Sequence, residues 1–211
     1  MTQTEQAEIK IESMLVFNEL QDMKLYSESQ IAAMVGFGRT PTREALQRLA
    51  HDNMIIILPR KGVMAVAVTA SMQLNLLDVR RCLDPQCIRL AALRGTITQK
   101  KTMYRLAQKF FTAADAADQH QVFACLRETH ELLTEATHNP FFARALGPLQ
   151  GPSRRFWFYD KDREDTLKGA HLHADILEHT AKGNQDAAVE AGERLLHYLT
   201  DFAFIRLQTE G

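Results

Sequence analysis

Gly38-Arg39-Thr40-Pro41-Thr42-Arg43-Glu44-Ala45-Leu46-Gln47-Arg48-Leu49-Ala50-His51-Asp52-Asn53 carries its own start and stop signals. Thr40 is a good helix N-cap, and Pro41 suits the first helical position, where its missing N–H costs nothing. Leu46 and Leu49 can face a core with Ala45 and Ala50 beside them, while Arg43, Gln47, Arg48 and His51 fall mostly on other faces. Asn53 tolerates the left-handed conformation that ends a helix. Upstream, Ser27 with Gln30 makes a capping-box pattern, so a short helix begins there and stops at Gly36. Before it, residues 9–21 read as an amphipathic helix with Ile9, Met14, Leu15 and Leu20 among its apolar positions. Downstream, Met54-Ile55-Ile56-Ile57-Leu58 is rich in β-branched residues and reads as a strand. Pro59-Arg60-Lys61-Gly62 reads as a turn and residues 63–68 as the returning strand. Three short helices followed by a two-stranded hairpin with a basic tip predict a winged helix-turn-helix over residues 1–68.

Charge supports a nucleic-acid partner only locally. The 211 residues have a formal net charge of −1 and an apolar fraction of 45%, ordinary for a chain with real cores. Between residues 36 and 66, however, Arg39, Arg43, Arg48, Arg60 and Lys61 stand against only Glu44 and Asp52, so this segment is basic although the chain is not. Thr40 and Thr42 add hydroxyls at a helix N-terminus, where backbone N–H groups can meet a phosphate. Arg43 is the residue best placed to reach a base edge. The bland alternative makes Arg43 and Arg48 solvated charges paired with Glu44 or Asp52.

From Ser71 onward leucine and alanine recur at helical spacing, predicting helices at 71–94, 99–118, 121–137, 140–158, 165–182 and 185–207. Pro85 predicts a kink or restart inside the first of them. The expected architecture is therefore mainly α: a winged helix over 1–68, then an all-helical bundle over 71–207. Cys82, Cys87 and Cys125 are odd in number and form no CxxC pair, which suits reduced thiols in the cytoplasm. The polar start MTQTEQAEIK has no apolar signal core, and no apolar run approaches the roughly 20 residues of a membrane helix. A cytoplasmic protein without a membrane partner is expected. No nucleophile–base constellation suggests an enzyme.

Three blocks, Ser27-Glu28-Ser29-Gln30-Ile31-Ala32, residues 38–49 and Arg60-Lys61-Gly62-Val63, closely resemble GntR-family regulators in order and spacing. The resemblance implies that Arg39, Arg43 and Arg48, with Lys61 and Gly62 of the wing, contact operator DNA; Thr40, Thr42 and Gln47 complete the candidate set. Gly38 departs from the usual serine, and the loop from Gln21 to Tyr26 is short and lacks the usual Pro-Gly. The helical remainder resembles the FadR-type (FCD) ligand-binding domain through residues 77–85, His130-Glu131-Leu132-Leu133 with Asn139-Pro140, and His173-Ala174-Asp175-Ile176 with Gly183-Asn184. It implies a homodimer, usually a repressor, whose operator is an inverted repeat and whose effector is a small molecule, carboxylates included.

Many such domains hold a divalent metal with one Asp and three His. His130 and His173 match two of those positions. The Asp position, four before His130, is Leu126, and the last His position, 22 after His173, is Leu195. His197 is two residues further, and on a helix that turns its side chain by about 200°. The metal set is thus incomplete, and no cofactor is expected. Arg80, His130 and His173 are the candidate effector contacts, Arg80 because an arginine can clamp a carboxylate, although Asp84 at i+4 offers it an ordinary ion pair. Arg154, Arg155 and Phe156-Trp157-Phe158-Tyr159 are expected in packing rather than in a cavity. Two other readings remain at this stage: a protein-interaction module whose winged helix no longer binds DNA, and an enzyme using the histidines of the helical domain.

Overall fold

A computed structural model describes residues 1–209. Its chain divides into two compact units: residues 1–69 with 151–159, and residues 70–150 with the described residues from 160 on.

The first unit is built on α1 (Gln3–Val16), β1 (Leu25–Tyr26), α2 (Glu28–Val35), α3 (Arg39–His51), β2 (Ile55–Leu58) and β3 (Gly62–Ala65). α1 starts six residues earlier than its apolar pattern predicts, because Thr2 and Glu5 form a capping box on one another's backbone. α2 carries the expected Ser27–Gln30 box and ends at Gly36 with φ +76°. α3 differs at its start: Gly38 is the cap, with extended backbone and no side-chain bond. Thr40 and Pro41 therefore lie inside the first turn, where backbone N–H groups have no helical partner and proline still costs nothing. The wing has a strand that the sequence pattern does not reveal. β3 pairs antiparallel with β2 (Ile57 opposite Val63) and also with β1 (Tyr26 opposite Val63), giving the order β1-β3-β2. Ile11, Leu15, Ile31, Leu46, Met54 and Val63 form the centre of this unit's core, each at most 2% exposed.

The second unit is helical: α4 (Ala70–Arg94), α5 (Ile97–Asp115), α6 (Gln119–Ala136), the first half of α7 (Pro140–Asp160), α8 (Arg163–Lys182) and α9 (Gln185–Thr209). α4 packs along α9 and α5 along α8. Starts at 99, 121 and 165 move two residues earlier, since Thr96, Asp118 and Asp162 cap α5, α6 and α8. Pro85 does not break α4. It removes the one bond to the Arg81 carbonyl, and side-chain bonds to α9 hold the helix on either side: Arg81 Nη2 to Thr200 Oγ1 at 2.7 Å and Arg89 Nη1 to Asp186 Oδ1 at 2.9 Å.

Residues 151–159 of α7 join the first unit through charge as well as packing. Arg154 and Glu12 form a buried ion pair, with Nε to Oε1 at 3.0 Å. Arg155 donates to Asp22 and to the carbonyls of Leu15 and Val66. Burial lowers the Arg155 guanidinium and Asp22 opposes that shift. Phe158 meets Phe17 edge to face at 5.4 Å. A reading by contiguous segments does not include this membership. Among the described residues no helix is long and apolar enough to cross a membrane.

Candidate nucleic-acid interface and ligand cavity

α3 presents two faces. Ala45, Leu46 and Leu49 are buried, and the opposite side exposes Arg39, Thr40, Arg43, Gln47 and Arg48. Arg39 and Arg43 lie four apart, so they share one face. Neither side chain, nor that of Gln47, has a hydrogen-bond or ion-pair partner among the described residues. Glu44, next to Arg43 in the sequence, is engaged elsewhere: Thr4 Oγ1 donates to its Oε2 at 2.7 Å. Arg48 reaches Glu8 Oε2 at 3.1 Å. That is the surface pairing expected of it in the bland alternative, though with a residue of α1 and not with Glu44 or Asp52.

Thr42 departs from the phosphate-contact role expected of it. It is 1% exposed and its hydroxyl donates to the Gly38 carbonyl at 2.9 Å, so its side chain faces inward and cannot meet a phosphate. At the wing tip Arg60 and Lys61 are exposed, and Lys61 N–H closes the turn on the Leu58 carbonyl at 3.0 Å. Gly62 has a structural reason to be glycine. Its φ is +128°, and a Cβ there would lie 2.4 Å from the Tyr26 carbonyl oxygen of β1.

In the helical unit one cavity brings together all three candidate effector contacts, Arg80, His130 and His173. Its volume is about 30 Å³, room for about one or two water-sized molecules. Arg80 is buried and bound through Nε and Nη2 to Asp84 Oδ2, at 2.9 and 2.8 Å. The i+4 ion pair and the cavity wall are therefore one and the same feature. His130 and His173 meet edge to face with centroids 6.1 Å apart, and Phe110 stacks on His173 at 5.5 Å. Sequence reasoning missed Gln150, Thr129 and Cys87, which also line the cavity; no motif marks them. Burial, with Asp84 adding to it, pushes the Cys87 thiol up to about 12, so it stays protonated and unreactive.

The donor set does not fit a resident metal. Leu195 lines the cavity, Leu126 is buried, and His197 stands exposed beside Asp201 at 3.4 Å. Two imidazoles with leucine at the other two positions make a poor site. Among the described residues no three His, Cys, Asp or Glu side chains come together to hold one.

A winged helix with a bare cationic face on a near-neutral helical chain is the architecture of a DNA-binding transcriptional regulator. The description "Bacterial regulatory proteins, gntR family" matches residues 3–64 and "FCD domain" matches residues 75–198. The chain belongs to the GntR family of bacterial regulators and carries an FCD domain; the family and the relatives it resembles are transcriptional regulators. It is 25% identical over 194 residues to the uncharacterised HTH-type transcriptional regulator YieP of Escherichia coli K12, covering 82% of each chain. It is 34% identical over 70 residues to the Nta operon transcriptional regulator of Aminobacter aminovorans, covering 33% of each. The fold is shared with E. coli McbR/YncC at a TM-score of 0.80 and 16% identity, over 98% of this chain and 99% of that one.

Proposed function

We propose that this chain represses transcription as a homodimer that reads an inverted-repeat operator and releases it when a small molecule fills the cavity of the helical unit. The observation that carries the DNA-reading half is the pair Arg39 and Arg43, exposed, four apart and unpaired at the start of α3. α3 enters the major groove, and Arg43 reaches a base edge; a bidentate bond to guanine gives about 1–3 kcal/mol of discrimination. Arg39, Thr40 and the first-turn N–H groups meet a phosphate, Gln47 lies one turn on, and Arg48 exchanges Glu8 for the DNA backbone. Lys61 and Arg60 approach the backbone beside the groove, and Gly62 shapes the turn that carries them. Two copies related by a two-fold axis map onto a palindromic site. The effector, held by the walls that Arg80, His130 and His173 supply, binds the low-affinity conformation better and so shifts the population away from DNA. A bacterial regulator of this kind works in the cytoplasm with the chromosome.

Electrophoretic mobility shift on DNA from upstream of the protein's own gene tests the reading. The expected result is a specific complex that survives a scrambled competitor and weakens steeply with salt. Equal affinity for the scrambled fragment would contradict it.

A further inference from the structure

Arg155 is far along the chain from the DNA-reading elements, yet it is 2% exposed within their unit, and its three nitrogens go to three different segments. Nε donates to the Leu15 carbonyl at 3.2 Å, in the last turn of α1. Nη2 donates to Asp22 Oδ1 in the loop between α1 and β1, and Nη1 to the Val66 carbonyl, one residue beyond β3. The backbone links among these segments are short. β1 gives two residues to its ladder with β3, and Asp22 adds one bridge to Ala65. At the other foot of the wing, Met54 N–H bonds to the Leu49 carbonyl at 2.9 Å and ties the start of β2 to α3. Neighbours on α7 seat the arginine: Phe158 meets Phe17, and Gly151 lies against Met54, where a Cβ would come within 3.0 Å of the sulfur.

The wing is thus anchored at both feet, to α3 through Met54 and to α1 and its loop through Arg155. Lys61 at the tip is five residues from Val66. That is about 16 Å along a strand, so a tilt of about 10° at the base moves the tip by about 3 Å. A shift of that size breaks a charged bond to a phosphate, which needs a separation of about 2.7–2.9 Å. A guanidinium suits the anchoring role because its planar fork sends donors in fixed directions, whereas an ammonium is a point charge and cannot span the three acceptors. We infer that Arg155 is a positioning residue for DNA reading: too deeply buried to touch DNA, it sets the angle of the wing and so the contact that Lys61 makes with the DNA backbone. This rests on the wing contact of the proposed function.

A double-mutant cycle on the full chain tests the inference, read by fluorescence polarisation on the operator fragment at several salt concentrations. In wild type, Lys61→Ala is expected to weaken binding roughly 3–10-fold and to reduce the salt slope by about 1. Arg155→Met is expected to weaken binding and to lower the slope in the same way. Adding Lys61→Ala to it should cost less than about 2-fold, because a misplaced wing has no contact left to lose. Arg155→Lys keeps the charge beside Asp22 but not the three-way span. It should fall between wild type and Arg155→Met in both readouts, and it carries the cycle if the methionine variant does not fold. Sites that do not touch add in free energy, so an arginine that only stabilised the fold would lower the melting temperature and leave the Lys61→Ala factor the same in every background. That additive result, or a wild-type salt slope in the Arg155 variants, would overturn the inference. If Lys61→Ala has no effect in wild type, the wing contact of the proposed function fails and the inference with it, while base discrimination by Arg43 reports separately on α3.

Discussion

Arg43 and Arg48 sit on one helix with one charge each, yet their surroundings separate them. Glu8 already faces Arg48 across 3.1 Å, so Arg48→Ala should cost less operator affinity than Arg43→Ala, and the pairwise difference is read directly by fluorescence polarisation. Lys61, a bare cation at the wing tip, should behave differently again. Lys61→Ala is expected to weaken all sequences alike and to reduce the salt dependence, the slope of log K against log salt, by about 1. The cysteines give a third residue-level expectation. A thiol reagent at neutral pH should modify exposed Cys82 and spare Cys87 and Cys125 until the chain unfolds. Burial holds Cys87 at about 12 against an ordinary 9.0, so the unfolded chain loses that proton first. Stability from this group is therefore constant below pH 9 and falls as pH rises from 9 toward 12, which pH-dependent chemical denaturation would detect. At this scale the sequence marks charge well and direction poorly. Arg39, Arg43 and Lys61 are legible as cations on a basic segment, but the inward turn of Thr42, whose hydroxyl donates to the Gly38 carbonyl, is not.

Among elements, the long helices were readable because apolar spacing persists over many turns, and their ends were missed by two residues wherever a Thr or Asp cap went unnoticed. β1 was invisible for another reason: two residues are too few for a pattern, and Leu25–Tyr26 is a strand only because β3 offers it a free edge. Gly62 makes that pairing possible. Gly62→Ala should destabilise the first unit by more than about 1 kcal/mol, seen as a lower urea midpoint, since the added Cβ meets the Tyr26 carbonyl and φ is +128°. The aromatic and basic stretch of α7 could be assigned to packing from sequence, but its partners could not, because Glu12 and Asp22 lie more than 130 residues away. Arg154→Ala should cost about 3–5 kcal/mol by leaving Glu12 buried without its cation, whereas Glu12→Leu with Arg154→Met together should come near neutral.

For the molecule as a whole, the order of a DNA-reading unit before a helical one was legible from the change of period near residue 69, and the family blocks named both. What sequence could not show is that one helix contributes to both units, nor which side chains the cavity gathers around Arg80, His130 and His173. Protein purified without chelator is expected to carry no stoichiometric transition metal, and elemental analysis finding one tightly bound ion per chain would overturn the reading of Leu126 and Leu195. Light scattering should give the mass of a dimer, with two chains per operator. The most direct test of the central claim, that α3 reads DNA, is a polarisation titration of wild type and Arg43→Ala against the operator fragment and single-base variants of it. Wild type is expected to lose roughly 10–100-fold at one guanine when that base is changed, and Arg43→Ala to bind more weakly overall and no longer distinguish that position. Arg43→Ala binding as tightly and as selectively as wild type would contradict the account.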